Sequence, residues 1–492
     1  MLTDNYGSDF HGFGNGSMHQ IAELQKAMTA GSGSAGVTHG AQTAGALAPL
    51  MPESLEATLK VMTYSEKQIK FWRSLFKSQA TNTAEEYNRL HQVGTGNSAF
   101  ISEGALPEEE DSTYSREITM VKFLGTTRRV THVASIVKTA GIQNAIAQET
   151  KNGTLWLMRQ IEHSLWYGDS SIIPEQWDGF RKLMLDGGSI VFDMRGAPLT
   201  QDVINGLCGV VRSAPNYGQI DTLWTSIGVK SDLANIIRGD QRAMYGAVVT
   251  LGNRIDTMET QHGTLKIEDS VFIREGTKAE PNGVGNSAKR PVAPAAVTLT
   301  NNAGNIAGSL FKDAGDGVGG VTDLCRYAYR VVAINKFGRS TPVDAVLGGV
   351  TQVNGSVDIA ITGGAGVKPS GFILYRTKNS DGAAGAHDAA NAVEIARIAA
   401  DSNGNGTFTD LNIDLPACSD VFGLESDPNT LGFKQLAPFT RIPLATIDTS
   451  IRWIQVLYGA PVLYRPRHNF VIRNVGRSSS SPIVTPSIIG FE

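Results

Sequence analysis

AGIQNAIAQETKNGTLWLMRQIEHSLWYGDSS occupies residues 140–171. Ile142, Ile146, Leu157, Ile161 and Leu165 fall at helical spacing, which predicts one helix over about 142–167, about 39 Å long at ~1.5 Å per residue. Gly153 offers a place for a bend, and Gly168-Asp169-Ser170 ends the helix.

The residues before it read differently. EEYNRLHQVGTGNSAFISEGALPEEEDSTYSREITMVKFLGTTRRVTHVASIV predicts two long strands, 82–93 and 115–135, joined by a polar, acidic tip. Such a hairpin has few residues to bury it and is marginal alone, so it calls for a neighbouring subunit. Further back, SEKQIKFWRSLFKSQA predicts a helix with Ile69, Phe71, Trp72, Leu75 and Phe76 on one side and a capping start at Ser65-Glu66-Lys67-Gln68. Residues 1–51 are rich in Gly, Ala, Ser, Thr and Asn and cannot bury a core; they read as a flexible arm, with a possible short helix around Gln20–Met28.

Beyond the long helix, TQDVINGLCGVVRSA, TLWTSIGV and KSDLANIIRG alternate helix and strand over 200–275, a small α/β layer. GTKAEPNGVGNSAKRP at about 278–292 reads as a linker. Residues 293–425 are short β-strands separated by Gly- and Asn-rich turns, a sandwich signature; CRYAYRVVAINKFGRSTP, 325–342, gives a strand, a turn and the next strand. Mixed character returns after 430, so the β module is an insertion. The fold class is α+β.

Composition bounds function. The chain has 492 residues, enough for two to four domains, and a net charge of −4, which fits neither a basic nucleic-acid binder nor an acidic tail. No apolar run approaches a membrane span, and the N-terminal MLTDNYGSDFHGFGNGS lacks the basic and apolar regions of a signal peptide. Cys208, Cys325 and Cys418 are odd in number and far apart, which suggests a reducing compartment or a disulfide-free fold. No P-loop, nucleophile elbow, zinc-protease or paired-cysteine motif occurs.

GFGNGSMHQ, 12–20, is glycine-rich but lacks the strand, the helix and the lysine or third glycine of a phosphate loop. DSNGNGTFTDLN, 401–412, matches the first half of a calcium loop at Asp401, Asn403, Asn405 and Gly406, but Asn412 stands where a bidentate Glu is required; a tight turn explains the same residues. His163 reads as packed on its helix and Cys208 as a small buried hydrophobe. At the hairpin tip Glu108, Glu109, Glu110 and Asp111 form either a solvated turn or a dock for arginines of an adjacent copy, with Arg128 and Arg129, or Arg465, Arg467, Arg473 and Arg477, as candidates. No catalytic, cofactor or metal residues are assigned.

The order of these parts resembles the Hong Kong 97-type major capsid proteins of tailed bacteriophages, most closely those of large contractile-tailed phages. AGALAPLMPESLEATLKVMTYSEKQIKFWRSLFKSQA (44–80), the helix ending Trp166-Tyr167-Gly168-Asp169, IPLATIDTSIRWIQVLYGAPVLYRPRH (442–468) and FVIRNVG (470–476) carry the resemblance, over roughly 45–275 and 430–477. It implies an N-terminal arm (1–51), a helical segment (52–81), an E-loop hairpin (82–135), the spine helix and peripheral domain (136–199), and an axial domain in two parts (200–277 and 430–460). A linker with an inserted β-sandwich (278–429), resembling fibronectin type III or immunoglobulin-like modules, and a peripheral strand with a C-terminal tail (461–492) complete the division.

The implied function is self-assembly into hexamers and pentamers of an icosahedral shell around DNA, made in the host cytoplasm. Implied partners are a separate scaffolding protein, a portal at one vertex, in some relatives a decoration protein, and double-stranded DNA by weak contact, with no membrane and no cofactor. The tip, 94–114, has no lysine for the covalent crosslink of some relatives, so a noncovalent shell is expected. Ile21-Ala22-Glu23 resembles a prohead-protease site. The competing readings are a secreted or surface glycan-binding protein or hydrolase with a fibronectin-like module, and a phage tail or baseplate protein.

Overall fold

A computed structural model describes residues 37–39, 42–44, 66–94, 98–137, 144–240, 256–302, 304, 306–311, 327–347, 354–377, 389–445 and 448–478, without the side chains of 37–44 and 236–240. The rest of the N-terminal arm, the helix around Gln20–Met28, the glycine-rich stretch 12–20, Ile21-Ala22-Glu23, Ser65 and Cys325 lie outside the described residues. The chain divides into two units: Met1–Met62 with Val133–Ala145, and Thr63–His132 with Ile146–Glu492. In the first, strand β1 (Val37–His39) pairs antiparallel with β2 (Gln42–Ala44). The second holds the rest of the described residues except Val133–Val137 and Asn144–Ala145.

Its organising element is the helix Ala145–Tyr167, continuous through Gly153. Gly153 is there for packing, not bending: a Cβ at this position would lie 2.1 Å from Gln455 Oε1. Toward its C-terminal end Ile161, Leu165 and Trp166 enter a core with Phe71, Trp224, Phe422 and Phe433. Phe71 stacks on Trp166 at 4.0 Å between ring centroids.

The segment expected as one helix across SEKQIKFWRSLFKSQA is shorter and broken. A 3₁₀ turn Glu66–Gln68 and a helix Phe71–Ser74 give way to strand β3 (Lys77–Gln79). Tertiary context overrides propensity here: Phe71 and Trp72 are drawn into the core, and β3 pairs parallel with a later strand.

Next come β4 (Ala84–Val93), β5 (Ser112–Met120) and β6 (Lys122–Thr131). The expected single strand 115–135 is therefore two strands and a short helix, His132–Ile136. The break is Val121, which is buried and donates its N–H to Thr83 O at 2.8 Å. Beyond it β6 leaves the hairpin and pairs over its whole length with β22 (Ser450–Leu463). The hairpin proper is 84–120, not 82–135.

Two sheets flank the long helix. A six-stranded sheet has the order β7 (Ile190–Asp193), β23 (Phe470–Val475), β20 (Ser419–Leu424), β8 (Thr222–Thr225), β10 (Gly263–Asp269), β9 (Thr257–Thr260). Its strands β23, β20 and β8 are buried on both faces. Trp224, Phe422 and Val471 meet the long helix's core, while Leu223, Val421, Phe470 and Ile472 meet the helices Gln201–Arg212 and Ile227–Asp240 through Ile204, Leu207, Val211, Val229 and Leu233. A four-stranded sheet has the order β3, β21 (Leu431–Pro443), β22, β6. Gln455 on β22 donates to Thr150 O of the long helix at 2.9 Å.

This corrects the division of the C-terminal residues. Most of 430–460 forms the sheet with β6, whereas the strand of 461–492 completes the α/β sheet, the reverse of the sequence reading. β22 pairs with β6 along all ten of its residues, whereas β23 pairs with β7 and β20.

Between β10 and β20 lie β11 (Val284–Gly285), β12 (Ala296–Asn302), β13 (Ala328–Asn335), β14 (Gly338–Arg339), β15 (Val343–Val346), β16 (Ser356–Thr362), β17 (Gly371–Arg376), β18 (Val393–Ala399) and β19 (Gly406–Asp410). They form two antiparallel sheets, β11-β14-β13-β17-β18 with β15 also on β13, and β12-β16-β19. Tyr329, Val331, Phe372 and Leu374 of one face Val357, Ile359 and Ile361 of the other in one core. The buried ion pair Arg376–Asp410, 2.5 Å, ties the sheets, and Tyr329 Oη donates to Asp410 at 2.9 Å. β13 is buried on both faces, because Val332 and Ile334 pack on Ile172 in the loop after the long helix. The stretch expected as a linker is held down: Thr277 and Ala279 are buried, and Lys278 bridges to Val393. β20, counted with the module in the sequence reading, belongs to the α/β sheet.

Candidate inter-subunit surface

The hairpin β4–β5 runs in register from Ala84↔Met120 to Val93↔Ser112. Alternation along β4 and β5 gives it two faces. One turns to the body. Tyr87 meets the Tyr464 ring edge-on at 5.0 Å, Arg89 donates to Tyr464 O at 2.9 Å and Leu463 O at 2.6 Å, and Arg89 pairs with Glu117 at 3.2 Å. Burial raises the Tyr87 phenol above its ordinary pKa. No local pattern signals this staple, since its partners are main-chain carbonyls more than 370 residues away.

The other face carries Leu90, Tyr114, Ile118 and Met120, and all are exposed, Ile118 by 58%. On the same face Arg116, paired with Glu86, stands between Tyr114 and Ile118, opposite Asn88. Four large apolar side chains exposed on one face of a hairpin make it a candidate interaction surface. It continues to Phe123, 60% exposed on β6, and into the tip, where Phe100 is 95% and Leu106 91% exposed. Every described residue from 98 to 112 is exposed, including Glu108, Glu109, Glu110 and Asp111. The structure thus brings the four predicted acidic residues together at the end of the arm.

The arginines named with them separate into two groups. Arg128 pairs with Glu149 at 3.4 Å and Arg129 with Asp448 at 3.8 Å. Arg473 is bound to Asp414, and Arg477 to Asp232 at 2.7 Å and Glu275 at 2.8 Å. Arg128, Arg473 and Arg477 hold the subunit's own fold, while Arg129 is exposed in a long surface pair. Arg465 and Arg467 are exposed at a 3₁₀ turn, Pro466–His468, and line a groove of about 750 Å³ beside the hairpin stem.

The other singled-out residues fall into structural roles. Asp401 Oδ1 accepts from the N–H groups of Asn403 and Asn405, at 2.9 and 2.7 Å, as a local turn does. Among the described residues no group of three or more His, Cys, Asp and Glu is placed to hold a metal ion. His163 is buried on the long helix. Cys208 is buried among the α/β helices, where burial pushes its thiol up to about 11. No described helix is long and apolar enough to cross a membrane. One buried group had no motif to reveal it: Glu162, wholly buried on the long helix, accepts the N–H groups of Phe71 and Trp72, both at 2.8 Å.

Residues 37–279 match the family described as SU10 major capsid protein. The "Major capsid protein" of Staphylococcus phage S25-3 is 25% identical over 447 residues, covering 87% of this chain and 90% of that one. A protein of Enterococcus phage phiEF24C is 25% identical over 471 residues, 92% and 94% of the two chains. Among solved structures, a chain of Gordonia phage Cozz superposes with a TM-score of 0.44 at 9% identity, over 88% of this chain and 96% of that one.

Proposed function

We infer that this chain is the structural major capsid protein of a tailed bacteriophage, a subunit that self-assembles into the shell enclosing the phage DNA. The observation that carries this is the similarity running through 87% of the chain to a protein named major capsid protein. The apolar side chains exposed on the hairpin's outer face support it independently, since such side chains grouped on one face mark a contact surface. Nothing favours the glycan-binding or tail readings.

The finer organisation is our proposal. The subunit fits a Hong Kong 97-type plan: the hairpin as E-loop, Ala145–Tyr167 as spine helix, the four-stranded sheet as peripheral domain and the six-stranded sheet as axial domain. Residues 278–417 are an inserted β-sandwich. Glu275 and Ser419 bridge each other, so the chain leaves and re-enters the axial sheet at one point, as an insertion requires. Hexamers and pentamers would be held by heterologous contacts, one patch meeting a different patch on the next copy. A tip without lysine favours a noncovalent shell. A scaffolding protein, a portal and weak DNA contact follow from the shell reading.

The test targets the outer hairpin face. Ile118→Ser with Met120→Ser leaves the stem's inner face intact, so the monomer's melting temperature should change little. Sedimentation of the chain co-produced with its phage's scaffolding protein should lose the particle peak that the wild type shows. Particles of unchanged yield would contradict the hairpin's role.

A further inference from the structure

The loop that follows the long helix is closed at its base and gripped at its tip. Gly179 donates its N–H to Gly168 O at 2.9 Å, and Ser170 donates to Asp178 Oδ1 at 2.9 Å. Residues 168–179 therefore leave the body and return to it at one place. Trp177 and Phe180, at the returning end, enter the central core with Trp166. The loop is thus anchored directly on the end of the helix.

Three parts of the chain meet at its tip. Ile172 is buried against Val332, Ile334, Ile373 and Tyr375 of the module. The fit is close: a Cβ on Gly371 of β17 would lie 2.6 Å from Ile172 Cγ2. Beside it Glu175 pairs at 2.5 Å with Lys336, in the turn between β13 and β14. From the other side Lys122, the first residue of β6, donates to Pro174 O at 2.6 Å. Lys122 follows Val121, whose N–H closes the root of the β4–β5 hairpin on Thr83 O. The bond from Lys336, with the charge of Lys122 adding to it, holds the Glu175 carboxyl below its ordinary range.

The module's side of this contact is separate from its own core. Along β13 and β17, Tyr329, Val331, Phe372 and Leu374 point into the core between the two sheets. Val332, Ile334, Ile373 and Tyr375 alternate with them and point at the loop. The module therefore carries a second apolar face, and its partner is the end of the long helix's loop.

We propose that the inserted module is a brace for the hairpin: seated on the 168–179 loop, it fixes through Pro174 and Lys122 the root from which the β4–β5 arm leaves the body. The coupling passes along one unbroken set of contacts, from module face to loop tip to hairpin root, all within a single chain. It stands whether or not the chain builds a shell. A module off its seat uncovers Ile172, frees the loop tip and takes from the hairpin root one of the bonds that hold it.

Hydrogen exchange of the full chain tests the brace. Val332→Ser with Ile373→Ser weakens the seat without touching the module's core. Exchange should rise about tenfold or more in residues 168–179 and about threefold or more at Val121, while β16 and β19 stay protected. Lys122→Ala cuts the last link and should speed exchange at Val121 by a similar factor. Adding the two serines to Lys122→Ala should bring no further rise at Val121, as changes on one path do. Should the serines loosen the module's own strands, Ile172→Ala, which removes only the loop's side of the seat, takes their place. An unchanged Val121 in a chain whose loop is freed, a loop that stays protected in both seat variants, or rate effects that simply multiply would each overturn the brace.

Discussion

Glu162 shows how one residue joins the long helix to the segment that leads into the hairpin. Its carboxyl is wholly buried, holds two main-chain N–H groups, and is pushed by burial up to about 7. A group whose folded-state pKa lies above its unfolded value contributes stability below the unfolded pKa and loses it as pH rises through the folded one. Stability should therefore fall between pH 4.5 and about 7, by on the order of 3 kcal/mol if this group acts alone. Asp269 acts in the opposite sense and lower down: burial opposes its ionisation, but bonds from Lys70 and Lys230 hold it below the usual range. Melting temperatures of wild type and Glu162→Gln across pH 4.5–8 test this. The wild type should show the downward slope, and Glu162→Gln should lack it.

Gly153 gives a second prediction at this scale. Gly→Ala inside a helix ordinarily gains up to about 1 kcal/mol of propensity. Here the new Cβ would fall 2.1 Å from the buried Gln455 side chain, so Gly153→Ala should lower the melting temperature, as overpacking does at about 1–3 kcal/mol. In the module, Asp410→Ala strands the buried Arg376 and should cost about 3–5 kcal/mol in denaturant unfolding. None of these three environments is readable from the chain, because each is made by a partner distant in sequence.

At the level of elements, what is legible is what periodicity governs. The long helix, the alternation of helix and strand over 200–275 and the run of short strands after 293 all follow from local spacing, and each appears in the structure. The two failures share a cause. Phe71–Ser74 and Lys77–Gln79 have helical spacing but are divided between a core and a sheet edge. Strand 115–135 looks uninterrupted, yet Val121 is pulled inward and hands the chain to β22. Pairing partners far along the chain settle such cases, and pattern alone does not name them. The candidate surface was half legible. The acidic tip is a composition signal, while finding that four of the six arginines have ion-pair partners within the chain needed the structure.

Over the whole molecule the seating of the two-sheet module has a physical consequence. The two-sheet module has its own core, but it is also seated on the body through Ile172 and Ile173 and through Arg274, which pairs with Glu394 at 2.6 Å over the Tyr167 ring. Excising 278–417 and closing the gap with a short Gly-Ser linker should leave the two body sheets folded, because Glu275 and Ser419 already adjoin. It should also bare Ile172 and Ile173, so the excised chain should aggregate until both are changed to serine, as light scattering would report.

The central claim is that this chain builds a closed shell. Electron microscopy of the full chain, produced alone and with its phage's scaffolding protein, tests it most directly. The account predicts closed icosahedral particles, or rings of five and six, with outward knobs formed by the inserted module. A monodisperse monomer at every concentration and in both preparations would contradict it.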